Sequence, residues 1–73
     1  MNMKELTKLL KKAHVPNCDY NFTGTGRTDE RINLIKNGDE WEVFFVERGV
    51  KTTDEFFDTE DEACQYIYEE LVD

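Results

Sequence analysis

Between residues 41 and 46 the chain reads Trp41-Glu42-Val43-Phe44-Phe45-Val46, five large apolar side chains in six positions. Asn37-Gly38-Asp39 precedes this run and Arg48-Gly49 follows it. The two-residue period of a strand puts Trp41, Val43 and Phe45 on one face and Glu42, Phe44 and Val46 on the other. A strand apolar on both faces belongs in the middle of a sheet. The first face is expected to form the core beneath both helices, with Trp41 and Phe45 as buried anchors. The second face is expected to be the more open one.

The flanking pattern supplies the other elements. Over residues 2 to 13, Met3, Leu6, Leu10 and Ala13 share a helical stripe with Leu9 beside it, and Lys4, Lys8, Lys11 and Lys12 lie opposite. His14-Val15-Pro16-Asn17 ends that helix, because the residue before a proline is pushed out of helical geometry. Cys18 to Thr23 alternates with Cys18, Tyr20 and Phe22 on one side, which predicts a short strand, and Thr23 to Asp29 is a flexible loop. Arg31 to Lys36 predicts another strand, joined to the central one through a hairpin with Asn37-Gly38 as its loop. That register sets Leu34 opposite Trp41 and Ile32 opposite Val43. A second hairpin at Arg48-Gly49 leads into the polar strand Val50 to Phe57, which has the look of a sheet edge. Thr59 caps a final helix running to Val72, with Glu62 as its capping-box partner. Its apolar stripe is Cys64, Ile67, Tyr68 and Leu71, and Tyr66 points away from it. The expected fold is a small single-domain α+β protein over residues 1-73: a helix, a four-stranded antiparallel meander and a helix.

Charge is what points toward function. The chain carries 17 acidic against 9 basic residues, a net charge of −8. It is also polarised, since residues 1 to 12 hold four lysines against Glu5 alone, whereas residues 52 to 73 hold nine acids and no lysine or arginine. Such an excess costs self-repulsion and disfavours nucleic acid or an anionic membrane as ligand. No apolar run approaches the ~20 residues of a membrane span, and no signal-peptide pattern opens the sequence, so a cytoplasmic location is expected. Cys18 and Cys64 have neither zinc nor redox-pair spacing and are expected to be reduced, partly buried thiols.

Catalytic chemistry finds no support. Glycines 24 and 26 lack the third glycine, the lysine-serine pair and the following helix of a phosphate loop. The one histidine, His14, adjoins a lysine-rich helix with no nucleophile in view. Asp58, Asp61 and Glu62 lack the spacing and central glycine of a calcium loop. No cofactor, no metal and no enzymatic activity are expected. An acidic protein-binding surface built from Asp54, Glu55, Asp58, Asp61, Glu62, Tyr66, Glu69 and Glu70 is expected instead, with Tyr66 as an aromatic anchor.

Glu47-Arg48-Gly49, followed by Phe57-Asp58-Thr59-Glu60-Asp61-Glu62-Ala63-Cys64-Gln65-Tyr66 and Leu71, resembles a pattern of small bacterial immunity proteins encoded beside polymorphic toxins. There a strand pair with an ERG turn runs into a helix of this type. The resemblance covers the last part of the chain, from Glu47 onward. It implies a cytosolic antidote that binds a cognate toxin and blocks it, and an acidic surface complements a toxin acting on nucleic acid or nucleotides. Two other readings fit the same charge and composition: a phage-type nucleic-acid mimic, or a small homodimeric regulatory module joined through Phe44 and Val46.

Overall fold

A computed structural model describes residues 1–72; Asp73, one of the nine acids counted above, lies outside them. The elements are α1 (Met3–Lys12), a single helical turn (Asn17–Asp19), β1 (Tyr20–Asn21), β2 (Ile32–Asn37), β3 (Glu40–Glu47), β4 (Val50–Phe57) and α2 (Glu60–Leu71). The fold is α+β in the expected order. β3 is central, with β2 and β4 antiparallel to it on either side and β1 outside β2.

The sheet is mixed rather than a pure antiparallel meander, because β1 runs parallel to β2. A parallel neighbour needs a return connection instead of a tight turn, and the segment 22–31 provides it. Two asparagines hold that segment. The Asn21 side chain donates to the carbonyls of Thr25 (2.9 Å) and Arg27 (2.8 Å) and accepts from the Thr23 N–H. This local competition with the ladder ends the strand at Asn21. At the far end the buried Asn33 amide donates to the carbonyls of Arg31 (2.9 Å) and Thr28 (3.2 Å). The expected strand from Cys18 to Thr23 therefore shrinks to two paired residues. Cys18 falls in the preceding helical turn and is exposed, contrary to expectation, while Cys64 is buried.

The first hairpin turns at Gly38-Asp39, one residue later than expected. Leu34 pairs with Val43, Ile32 with Phe45 and Lys36 with Trp41. Gly38 adopts φ 66 while Asp39 keeps an ordinary negative value, the pattern of a turn with glycine at its first central position. The displacement is two residues along the partner strand, so the same side chains share a face. Lys36 gains a place over the Trp41 ring, its Nζ 4.9 Å from the centroid. Arg48 and Gly49 form the second turn as expected, both left-handed, with φ 53 and 79. Val46 then pairs with Lys51 but Phe45 with Thr53, so Thr52 is an extra residue in β4. This bulge puts Thr53, Glu55 and Phe57 on the face of Phe45, Val43 and Trp41, and sends Asp54 to the opposite one, where Lys51 already lies.

Both helices pack on the expected face. The buried cluster comprises Leu6 and Leu10 of α1, Ala63, Cys64 and Ile67 of α2, and Tyr20, Ile32, Leu34 and Val43 of the sheet. Trp41 and Phe45 are only partly buried at its margin. The helices meet the sheet over the Leu34–Val43 pair, and Trp41 and Phe45 lie one same-face position to either side. The outer face is not open: Glu42 is 4% exposed, and Phe44 and Val46 are each 8% exposed. Lys51 spans Glu42 and Phe44, with Nζ 2.9 Å from the carboxylate and 4.4 Å from the ring centroid. The Glu30 N–H, from the returning segment, donates to the Val46 carbonyl.

Local rules fix the helix ends. Asn2 and Glu5 form a reciprocal capping box on α1. At its other end His14 is left-handed (φ 63), its N–H donates to Lys11 O and the Val15 N–H donates to Leu10 O. This is a Schellman motif with histidine where glycine is usual. Thr59 caps α2 by accepting from the Glu62 N–H (3.2 Å), but Glu62 accepts from the Thr59 hydroxyl (3.0 Å) instead of from the backbone N–H expected of a full capping box.

Leu34→Ala, at the centre of the cluster, is expected to cost about 2–5 kcal/mol in urea unfolding, and a loss below ~1 kcal/mol would contradict the placement of the core. Burial pushes the Cys64 thiol up to about 11. An aromatic disulfide reagent at neutral pH is accordingly expected to titrate one thiol, Cys18, in the folded protein and two after denaturation.

Candidate functional site

The eight acidic-surface residues do not make one patch. α2 spans about 18 Å at 1.5 Å per residue, and its acids gather at both ends. At its start, several serve the fold: Glu60 accepts from the Met3 N–H at 2.8 Å, and Asp61 meets the Met1 α-amino group. Glu62 is engaged with Thr59, while Asp58 is exposed in the turn before the helix. Carboxylates near a helix start also satisfy its positive dipole end. At the other end Glu69 accepts from Gln65 (3.1 Å), and Glu70 is exposed. On β4, Asp54 faces outward and Glu55 lies on the helix side, directly across from Val43.

The structure draws Glu55, Tyr66 and Glu70 together. Tyr66 is half-buried instead of fully exposed, lying over the sheet edge with its ring 5.3 Å from that of Phe57. Burial raises its hydroxyl pKa above the ordinary value, and the negative charges of Glu70 and Glu55 add to the effect. Beside it, where α2 ends at Leu71, a cleft of about 340 Å³ opens over the Ile32–Phe45–Thr53 row. Ile32, Phe45 and Leu71 give it apolar walls, while Asp19, Glu30 and Glu70 bring carboxylates from three separate segments. Glu30 holds a left-handed backbone (φ 58) there.

Asp19 and Glu30 were not among the expected site residues. Nothing in their local sequence distinguishes them. They reach the cleft through the parallel β1 and the return segment, and only a reading of that topology could have found them. Asp58, Asp61 and Glu62 do not contribute to it.

A second acidic arrangement lies on the outer face. Glu42 is held below the ordinary carboxylate range, chiefly by hydrogen bonding with Asp54, with the Lys51 ammonium and the Asn37 amide assisting against burial. Asp54 is correspondingly raised by its hydrogen bond to Glu42, then by burial and by the Glu42 charge. The Lys51 ammonium is raised, mainly by Glu42. Glu42 and Lys51 close the back of β3, so this group acts on stability.

The linkage signs for the two carboxyls are opposite. The Glu42 contribution is present above its unfolded pKa and is lost as pH falls through its lowered folded value. Asp54, with a raised folded pKa, favours the fold at low pH and loses that contribution as pH rises through the raised value. Asp54→Asn is therefore expected to raise the melting temperature at pH 7, by an amount that shrinks toward pH 4. A variant no more stable than the parent at pH 7 would contradict the pairing.

His14 is exposed just beyond the end of α1 and is not among the residues lining the cleft. Among the described residues no three His, Cys, Asp or Glu side chains converge as a metal site, and no helix is long and apolar enough to cross a membrane. The cleft offers carboxylates and a phenol against apolar walls. No protein-family model matches the chain, and neither a curated protein nor a solved structure matches it.

Proposed function

We propose that the protein is a non-enzymatic inhibitor of the immunity type, a cytoplasmic antidote that binds a cognate basic toxin or nuclease-type enzyme and neutralises it. The observation that carries this reading is the excess of negative charge around the cleft. Among the described residues the ion pairs are those of Met1 with Asp61 and of Lys51 with Glu42 and Asp54. None of Glu55, Glu70, Asp19 and Glu30 is in those pairs, and none of the described lysines and arginines lines the cleft itself, in a chain of net charge −8. Like charges held together raise the energy of the free protein and lower it when a basic surface arrives, which also speeds encounter. The resemblance from Glu47 onward supports the same reading. The reading includes no cofactor, no metal and no direct contact with nucleic acid.

The two alternatives draw less support. A nucleic-acid mimic calls for carboxylates spaced like phosphates along an extended surface, whereas these cluster at the two ends of α2 and are partly consumed in joining it to α1. A homodimer through Phe44 and Val46 loses its motive, because both are covered within the chain.

The direct test pairs the protein with the product of the adjoining reading frame in its genome. Co-expression is expected to relieve growth arrest caused by that product. The double reversal Glu55→Lys with Glu70→Lys is expected to slow association at least about tenfold at low salt, an effect that shrinks as salt rises. Absence of rescue and of binding would overturn the reading, and unchanged association in the double variant would overturn the surface assigned to it.

A further inference from the structure

We infer that the cleft over the Ile32–Phe45–Thr53 row is a socket for one arginine side chain of a basic protein partner; this rests on the protein-binding reading above and gives it a contact. The cleft combines two chemistries that one side chain must satisfy together. Its walls, Ile32, Phe45 and Leu71, are apolar, and Phe45 and Leu71 stay partly exposed because α2 stops there. Its rim carries Asp19, Glu30 and Glu70, with Tyr66 beside Glu70.

An apolar side chain from a partner would fill the floor but strip water from three carboxylates without replacing it. A short acidic or neutral polar side chain would leave the walls wet. A long cation meets both demands, its methylene stem lying along the apolar walls while its charge stays at the rim. Arginine fits better than lysine because the carboxylates come from different segments. A planar guanidinium presents five donors in several directions and can stack on the Tyr66 or Phe45 ring, whereas an ammonium is a compact point charge. Arginine is also the cation enriched at the centres of protein interfaces.

Arg27 and Arg31 of the same chain border a neighbouring hollow with Asp19 and Glu30. Neither is among the ion pairs of the described residues. None of the described lysines and arginines lines the cleft itself, so an incoming arginine meets Glu70 without a competing cation of the same chain and shares Asp19 and Glu30 with the arginines next door.

The probe is the acetylated, amidated peptide Gly-Gly-Arg-Gly-Gly, titrated into the uniformly labelled full chain and followed by amide and side-chain nuclear magnetic resonance. The same peptide with citrulline, which keeps the shape and removes the charge, is the control. The arginine peptide is expected to give saturable shifts at Ile32, Phe45, Thr53, Tyr66 and Leu71 with millimolar affinity, as befits a single side chain. The citrulline peptide is expected to bind at least about tenfold more weakly, the loss of a charge-assisted contact. Glu70→Gln, an exposed change that leaves the core intact, is expected to weaken the arginine peptide several-fold.

Shifts centred on Asp58 to Glu62, equal binding of citrulline, or no saturable shift at the cleft would each overturn the socket. Shifts of the cleft residues on raising protein concentration without peptide would assign the cleft to a second copy and overturn it as well. The probe needs no toxin, so the two readings fail separately. A partner that binds while the cleft residues stay silent sinks the socket alone. Arginine binding in a protein that neutralises nothing sinks the inhibitor reading alone.

Discussion

Two short helices have to cover one face of a sheet longer than they are. α1 and α2 reach about 15 and 18 Å at the rise of a helix, whereas the eight-residue strands β3 and β4 extend about 27 Å. Coverage is complete only where both helices meet the sheet, over Leu34 and Val43, and it thins toward both ends. At one end Trp41 is finished off by Lys36 across its ring and by its neighbour Phe57. At the other, where α2 terminates, Phe45 and Leu71 are left half-covered and the acidic cleft opens. A domain this small buries a modest fraction of its surface, so the place where the core runs out becomes the most distinctive feature outside it.

The outer face shows how the same economy is solved without a third layer. Lys51, opposite Val46 in the register set by the Arg48-Gly49 turn, lies over Phe44 with its ammonium and meets the Glu42 carboxylate. The return segment, tied by Asn21 and Asn33, closes the side near Val46. β3 is consequently buried on both faces although helices lie on only one. The charged pair stabilises this arrangement only while Glu42 is ionised, and the nearby Asp54 opposes it at neutral pH.

Much of the fold was legible because it rests on local rules. The helix stripes, the left-handed Arg48-Gly49 turn, the Thr59 cap and the alternation of β3 all follow from period and turn chemistry. Pairwise detail was less legible. The hairpin turned at Gly38-Asp39 because glycine occupied the first central position of its turn, and this moved every cross-strand partner by two residues while preserving the face. The parallel β1 depends on side-chain amides of Asn21 and Asn33 capturing carbonyls in a loop, a tertiary effect that residue pattern does not display. Of the expected acidic surface, Tyr66 and Glu70 line the cleft, Glu55 lies near Tyr66, and Asp61 meets the N-terminus. Asp19 and Glu30 reach the cleft only through the topology, which no local sequence pattern displays.

At the α2 start, Glu60 and Asp61 bind the N-terminal segment and Glu62 binds Thr59, whereas the proposed contact surface lies at the other end of the sheet. The most direct measurement is amide hydrogen exchange on the complex with the adjoining-frame product. Protection on binding is expected in β4 near Thr53 to Glu55, in the last turns of α2 from Tyr66, and around Glu30. Protection confined to α1 or to the α2 start, with the cleft segments exchanging as in the free protein, would contradict the central claim.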